Sequence, residues 1–187
     1  IVPWAKRVHG VRGFDNAHKA AAELATTDFF ISIDGDNRID PAFLLQTLDW
    51  TKTNPAAVHR WRARNIINGL VYGNGGIVGW SRKTCLNMRT HENAVDERAK
   101  IDFCWTVPHE NLHNVYSTTH INHTPEQAFI AGYREGVKMS LVDGVLPSDP
   151  APSKLHWHNL HRLKVWSSMG AHVPNGVWAM LGARQGC

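Results

Sequence analysis

The chain has 187 residues, 43% hydrophobic and 19% charged, with a formal net charge of +4. These values exclude an intrinsically disordered polymer and suit one globular domain with a single core better than two. No apolar run approaches the roughly 20 residues that span a bilayer, so no membrane partner is expected and the cytoplasm is the expected compartment.

The start is basic and contains Trp4 without an apolar stretch, so it does not read as a signal peptide. The chain begins at Ile1 rather than Met, which leaves room for a segment upstream. Gly10 to Gly13 reads as a glycine-punctuated loop, and residues 16–25 (NAHKAAAELA) are Ala-rich and predict a helix. Thr26, Thr27 and Asp28 break it. Phe29-Phe30-Ile31-Ser32-Ile33 then has the aromatic and β-branched character of a buried strand. That strand ends at Asp34-Gly35-Asp36-Asn37, a turn by composition. Asp40-Pro41 supplies an N-cap and a proline at the first helical position, which predicts a helix to about residue 51.

Residues 58–63 and 77–80 predict two further strands, separated by the glycine-rich stretch Asn68 to Gly76. Ser81 caps a following helix. Residues 88–100 are polar and read as a mobile surface segment, after which 102–105 (DFCW) and 115–121 read as strands. A helix is predicted over 125–141, a proline-rich connection over 142–153, and a last helix over 156–168. His172 to Gly176 reads as a turn. Cys85, Cys104 and Cys187 are too few and scattered for a disulfide framework or a zinc ribbon, and read as free thiols. Twelve histidines are many for this length, and several fall in the C-terminal half.

Two carboxylates in Asp-x-Asp at the end of a buried strand repel each other and are costly to desolvate. A divalent cation offsets both effects, and Mg²⁺ or Mn²⁺ accepts such hard oxygen ligands together with nucleotide phosphates. The competing reading is a polar β-turn chosen for its geometry. A calcium loop of the EF-hand type fits less well, because no spaced acidic series ending in glutamate follows.

The block from Gly10 through Asn16-Ala-His-Lys-Ala-Ala-Ala22 to Phe29-Phe-Ile-Ser-Ile-Asp-Gly-Asp36 resembles the nucleotide-sugar half of GT-A, family-2-like glycosyltransferases. Asn68-Gly-Leu-Val-Tyr-Gly73 with Gly75-Gly76, Tyr133-Arg134-Glu135, and the segment from Trp178 to Arg184 are similar to small glycosyltransferase-like proteins of tailed bacteriophages. The resemblance implies a GT-A-like (Rossmann-like) α/β fold: a central mixed sheet with helices on both faces. A GT-A domain normally opens with a strand and helix that hold the base and ribose. This sequence departs from that pattern at Ile1, through either a truncated chain or a different source of that element, which affects donor identity more than reaction class. The resemblance also implies a donor- and metal-binding half over 1–80 and an acceptor half over 81–187.

The implied reaction uses a nucleoside diphosphate sugar and Mn²⁺ or Mg²⁺ to glycosylate a hydroxyl group. The implied metal ligands are Asp36, Asp34 and a late histidine, His123, with His120, His156 and His158 as competitors. Asp34 is also a candidate for the donor ribose. Arg12, Asn16, His18 and Lys19 are candidates to face the diphosphate at a helix N-terminus, although His18 and Lys19 also fit a solvated helix face. Arg64 and the stretch from Tyr72 through Gly75 and Gly76 suit a sugar- or acceptor-binding loop, with an ordinary tight turn between strands as the alternative. Arg134 could hold phosphate or pair with Glu135. Asp102 is the candidate base, with a strand-end cap as its alternative.

The phage likeness, the basic charge and eight tryptophans point to a DNA acceptor, a hydroxymethylated pyrimidine, in the host cytoplasm. Polysaccharide or protein acceptors, a non-catalytic carbohydrate- or nucleic-acid-binding module, and a nucleotidyltransferase remain as alternatives.

Overall fold

The structure is a computed structural model that describes residues 2–49, 51–73, 76–103, 106–148 and 152–187. It is mixed α/β. Among these residues the strands are β1 (Phe29–Ile33), β2 (Asn37–Ile39), β3 (Val58–Asn65), β4 (Val71–Tyr72), β5 (Ile77–Ser81) and β6 (His109–Thr119). The helices are α1 (Phe14–Leu24), α2 (Arg82–Asn87), α3 (Glu97–Ile101), α4 (Pro125–Met139), α5 (Trp157–Ser168) and α6 (Gly176–Gly186). None of them is long and apolar enough to cross a membrane. The chain forms two compact units, one of Ile1–Ala63 with Gly75–Ser117 and one of Arg64–Asn74 with Thr118–Cys187.

The strand order is β1-β5-β3-β6-β2, with β4 paired to β3. β5 pairs antiparallel with both β1 and β3. Its Ile77, Val78 and Trp80 are all buried, which is the pattern of an interior strand covered on both faces. Val78 and Trp80 pack with Ala22, Val58, Cys85, Met88 and Phe103, beside α1 and α2. Ile77 turns to the other face and packs with Phe43 and Trp61.

β1 and β2 lie at opposite ends of the strand order, yet only Asp34, Gly35 and Asp36 separate them. In a flat sheet four inter-strand steps of about 4.8 Å would set them about 19 Å apart. The chain from Ile33 to Asn37 reaches at most about 14 Å. The sheet must therefore curl strongly to bring its ends together.

Several sequence expectations need correction. β1 is an edge strand rather than a buried one, with Ile31 43% and Ile33 39% exposed. Its composition suits a strand, but burial depends on neighbours far away in sequence. The helix expected after Asp40 is a 3-10 turn over Pro41–Leu45, with Asp40 Oδ1 accepting from the Ala42 amide at 2.9 Å. Phe43 is its one buried residue and Leu45 is exposed, so no apolar stripe extends it. Residues 88–100 are built in rather than left on the surface: Thr90, Met88 and Ala99 are buried. Asp102 closes α3 instead of opening a strand, and Cys104 and Trp105 lie outside the described residues.

In the second unit α4 and α6 pack backbone to backbone. A Cβ at Gly132 would overlap the carbonyl oxygen of Ala179, and one at Gly182 would overlap that of Phe129. No helix is expected from the sequence over Gly176–Gly186, where three glycines lower helix propensity. Thr124 caps α4 by accepting from the Gln127 amide at 3.1 Å, while Gln127 Oε1 accepts from the His123 amide at 3.0 Å.

Two predictions follow from this packing. Gly132→Ala should destabilise the protein by about 1–3 kcal/mol through forced separation of α4 and α6, read by chemical denaturation. His59 is fully buried on β3, with Nε2 3.6 Å from Glu110 Oε2. Burial lowers its pKa from 6.5, opposed by the Glu110 charge and a backbone bond to Ala57. The unfolded chain thus takes up this proton first, so the contribution is intact above about pH 6.5 and declines as pH falls below it. His59→Gln should flatten that decline in a series of melts, and an unchanged slope would remove His59 as its source.

Candidate functional site

The Asp34–Asp36 turn joins the C-terminal end of β1 to β2 and is held from both sides. The Asp34 amide donates to Gly76 O at 2.9 Å, and the Asn37 amide donates to Asp34 O at 3.0 Å. Gly76 has φ +101°, a left-handed value that favours glycine, and a Cβ there would overlap the Asn37 side-chain amide. Asn37 Nδ2 in turn donates to Asp36 Oδ1 at 2.8 Å. Asp34 is exposed and Asp36 half-buried. Water therefore screens the repulsion between the carboxylates, and a cation is not needed to relieve desolvation there.

The N-terminus of α1 already carries an anion. Gly13, at φ +97°, gives the helix no side-chain cap. Glu92 supplies it from a distant segment, accepting from the Phe14 amide at 3.1 Å and the Asn16 amide at 3.3 Å. Burial pushes the Glu92 pKa up, but backbone amides, including those of Asn16, Asp15 and Phe14, leave it below the ordinary value. A Cβ at Gly13 would overlap this carboxylate.

One residue further in, fully buried Asp15 accepts from the Thr90 amide at 2.9 Å, from the Thr90 hydroxyl, and from Asn93 Nδ2 at 3.2 Å. The C-terminal end of α1 meets cations: Lys6 donates to Leu24 O at 2.6 Å and Arg82 to Ala22 O at 2.9 Å. Each end of the helix dipole thus faces opposite charge.

The residues expected to face a diphosphate occupy varied surroundings. Arg12 is exposed and its carbonyl accepts from Asn16 Nδ2 at 3.3 Å. His18 stacks on Phe14 at 4.1 Å, meets Trp80 edge-on at 5.2 Å, and its Nδ1 lies 2.9 Å from Phe14 O. It belongs to the packing of α1. Lys19 Nζ stands 4.0 Å from buried Asp15.

Tyr72 is buried in the second unit. Its hydroxyl donates to Glu135 Oε2 at 2.5 Å and accepts from Trp166 Nε1 at 2.9 Å. The Arg162 guanidinium lies 4.6 Å over its ring. Burial and the Glu135 carboxylate push the Tyr72 pKa well above the ordinary phenol value. Lys138 Nζ stands 3.7 Å from Glu135 Oε1, so Glu135 pairs with Tyr72 and Lys138, while Arg134 is exposed on α4.

Asp102 is half-buried, its amide donating to Arg98 O at 3.0 Å. His123 is exposed just ahead of α4, its ring 6.4 Å from that of His120. Gly75 lies outside the described residues. Among the described residues no three His, Cys, Asp or Glu side chains gather as metal ligands.

No protein-family model, curated protein or solved structure matches this chain.

Asn37 was visible as the last residue of the turn and Glu135 as a neighbour of Arg134, but Glu92, Asp15 and Trp166 are structurally engaged without a sequence signal that marked them. Their partners lie up to 94 residues away, and no local spacing encodes such a pairing. Glu92→Ala should cost about 1 kcal/mol of stability through loss of the α1 cap, measured by urea denaturation. Unchanged stability would mean that water replaces the carboxylate without loss.

Proposed function

We propose that the protein is a metal-dependent glycosyltransferase with a GT-A-like fold, transferring a sugar from a nucleoside diphosphate sugar to a hydroxyl group. The observation that carries the reading is the braced Asp34–Asp36 turn at the C-terminal end of β1. It carries two carboxylates, and Mg²⁺ and Mn²⁺ need only one or two when substrate phosphates and water complete the shell. Carboxylate oxygens suit the cation, and such a shell does not require the further gathered protein ligands that are absent among the described residues.

Asp36 would hold the cation, with Asp34 contacting it through water or holding the donor ribose. A bound cation supplies stabilisation of the negative charge that develops on the departing diphosphate. In the reaction the bond from the anomeric carbon to the diphosphate oxygen breaks, and the acceptor oxygen bonds to that carbon. The acceptor proton passes to a carboxylate, for which Asp102 is the proposed base. Glu92 already satisfies the first amides of α1, so Arg12 and the cation are the stronger proposed counter-charges for the diphosphate.

The proposed acceptor is a hydroxymethylated pyrimidine in DNA. The net charge of +4 and the exposed Trp157 and Trp178 support it, since cationic and aromatic surfaces hold nucleic acid.

A panel of nucleotide sugars, offered with hydroxymethylated DNA and with simple sugar acceptors, tests the proposal through nucleoside diphosphate release. Release should require Mn²⁺ or Mg²⁺, fall with rising salt on DNA, and drop about 100-fold or more in Asp36→Asn. Undiminished turnover in that variant would sink the metal role. Pyrophosphate release would indicate a nucleotidyltransferase. Transfer only to sugar acceptors would exclude DNA, and binding without any turnover would leave a carbohydrate- or nucleic-acid-binding module.

A further inference from the structure

We infer that Asn37 is a positioning residue for the cation site, holding the Asp36 carboxylate so that one oxygen is engaged and the other is presented outward. The inference rests on the proposed role of Asp36 as a metal ligand. Its own basis is geometric. Asn37 Nδ2 donates to Asp36 Oδ1 at 2.8 Å, the one side-chain hydrogen bond of Asp36 among the described residues. The second carboxylate oxygen is therefore left for a ligand.

The donor that does this is itself fixed. The Asn37 amide closes the turn on Asp34 O at 3.0 Å. The Asn37 side-chain amide fills the space where any residue but glycine at position 76 would put its Cβ. The Gly76 carbonyl accepts from the Asp34 amide at 2.9 Å, so one glycine fixes the residues on both sides of the turn. Without the Asn37–Asp36 bond the half-buried Asp36 carboxylate would keep more side-chain torsional freedom, and binding a cation would have to freeze it. The Asn37 bond removes much of it beforehand, and partners of this kind around metal ligands typically change metal affinity 10–100-fold.

Asn37 could instead serve only to fill the turn. Two variants separate these roles: Asn37→Ala removes both donor and volume, and Asn37→Leu keeps similar volume against Gly76 without a donor. The probe is Mn²⁺ alone, titrated into the ¹⁵N-labelled full chain well below its melting temperature. Paramagnetic loss of the Gly35 and Asp36 amide signals gives the midpoint, a readout independent of turnover.

Wild type should lose these signals selectively, and Asp36→Ala should keep them. Both Asn37 variants should need about 10-fold more Mn²⁺. A wild-type midpoint in Asn37→Leu would overturn the inference whatever Asn37→Ala does, and should Asn37→Ala not fold, Asn37→Leu decides alone. A wild-type midpoint in Asn37→Leu together with signal retention in Asp36→Ala would leave the cation site standing without Asn37. Equal signal loss in wild type and Asp36→Ala, or none in wild type, would remove the cation site itself and the inference with it.

Discussion

The three-residue connection between β1 and β2 constrains everything around it. Because these strands stand at opposite ends of the order, so short a link holds only if the sheet curls until its ends approach. Within the curled sheet the interior strand β5 packs on both faces, through Ile77 on one side and Val78 and Trp80 on the other. The short link also requires a turn that changes direction within Asp34, Gly35 and Asp36 and is braced while doing so. Gly76, where the chain enters β5, provides that brace. The stretch carrying the two carboxylates is thus under more structural demand than an ordinary surface loop.

This demand cuts both ways for function. Asp and Gly suit a tight turn by themselves, so the residue types alone do not separate a connection from a cation site. What a connection does not need is an oriented carboxylate. The turn is closed by backbone bonds from Asp34 and Asn37, yet the Asn37 side chain also reaches Asp36. That additional bond fixes a group which turn geometry alone would leave to solvent.

The sequence was legible wherever structure is local. α1, α4 and α5, the strand composition of Phe29–Ile33, and the Ser81 cap all follow from propensity and capping residues within a few positions. It was illegible where partners are distant. The exposure of Ile31 and Ile33 depends on β1 lying at the sheet edge, which no pattern within the strand states. Residues 88–100 look like a solvated segment because their role is to satisfy α1: Thr90 and Asn93 bind Asp15, and Glu92 caps the helix. The glycines of α6 lower helix propensity, but their lack of a side chain is what lets it meet α4.

The charge arrangement on α1 changes how an anionic donor would be met in the proposed reaction. A helix N-terminus with open amides could by itself offset part of a diphosphate's charge. Here Glu92 already accepts from the amides of Phe14 and Asn16, and Asp15 lies buried within the first turn. An incoming phosphate would meet two fixed negative charges at that end unless Glu92 moved away. The same unit carries 13 basic and 12 acidic residues, so little net positive charge remains to draw in a diphosphate. In the proposed reading, a cation at Asp36 would supply positive charge that the helix N-terminus does not. The proposed dependence on metal thus agrees with α1 having satisfied its own dipole, as well as with the Asp-Gly-Asp pattern.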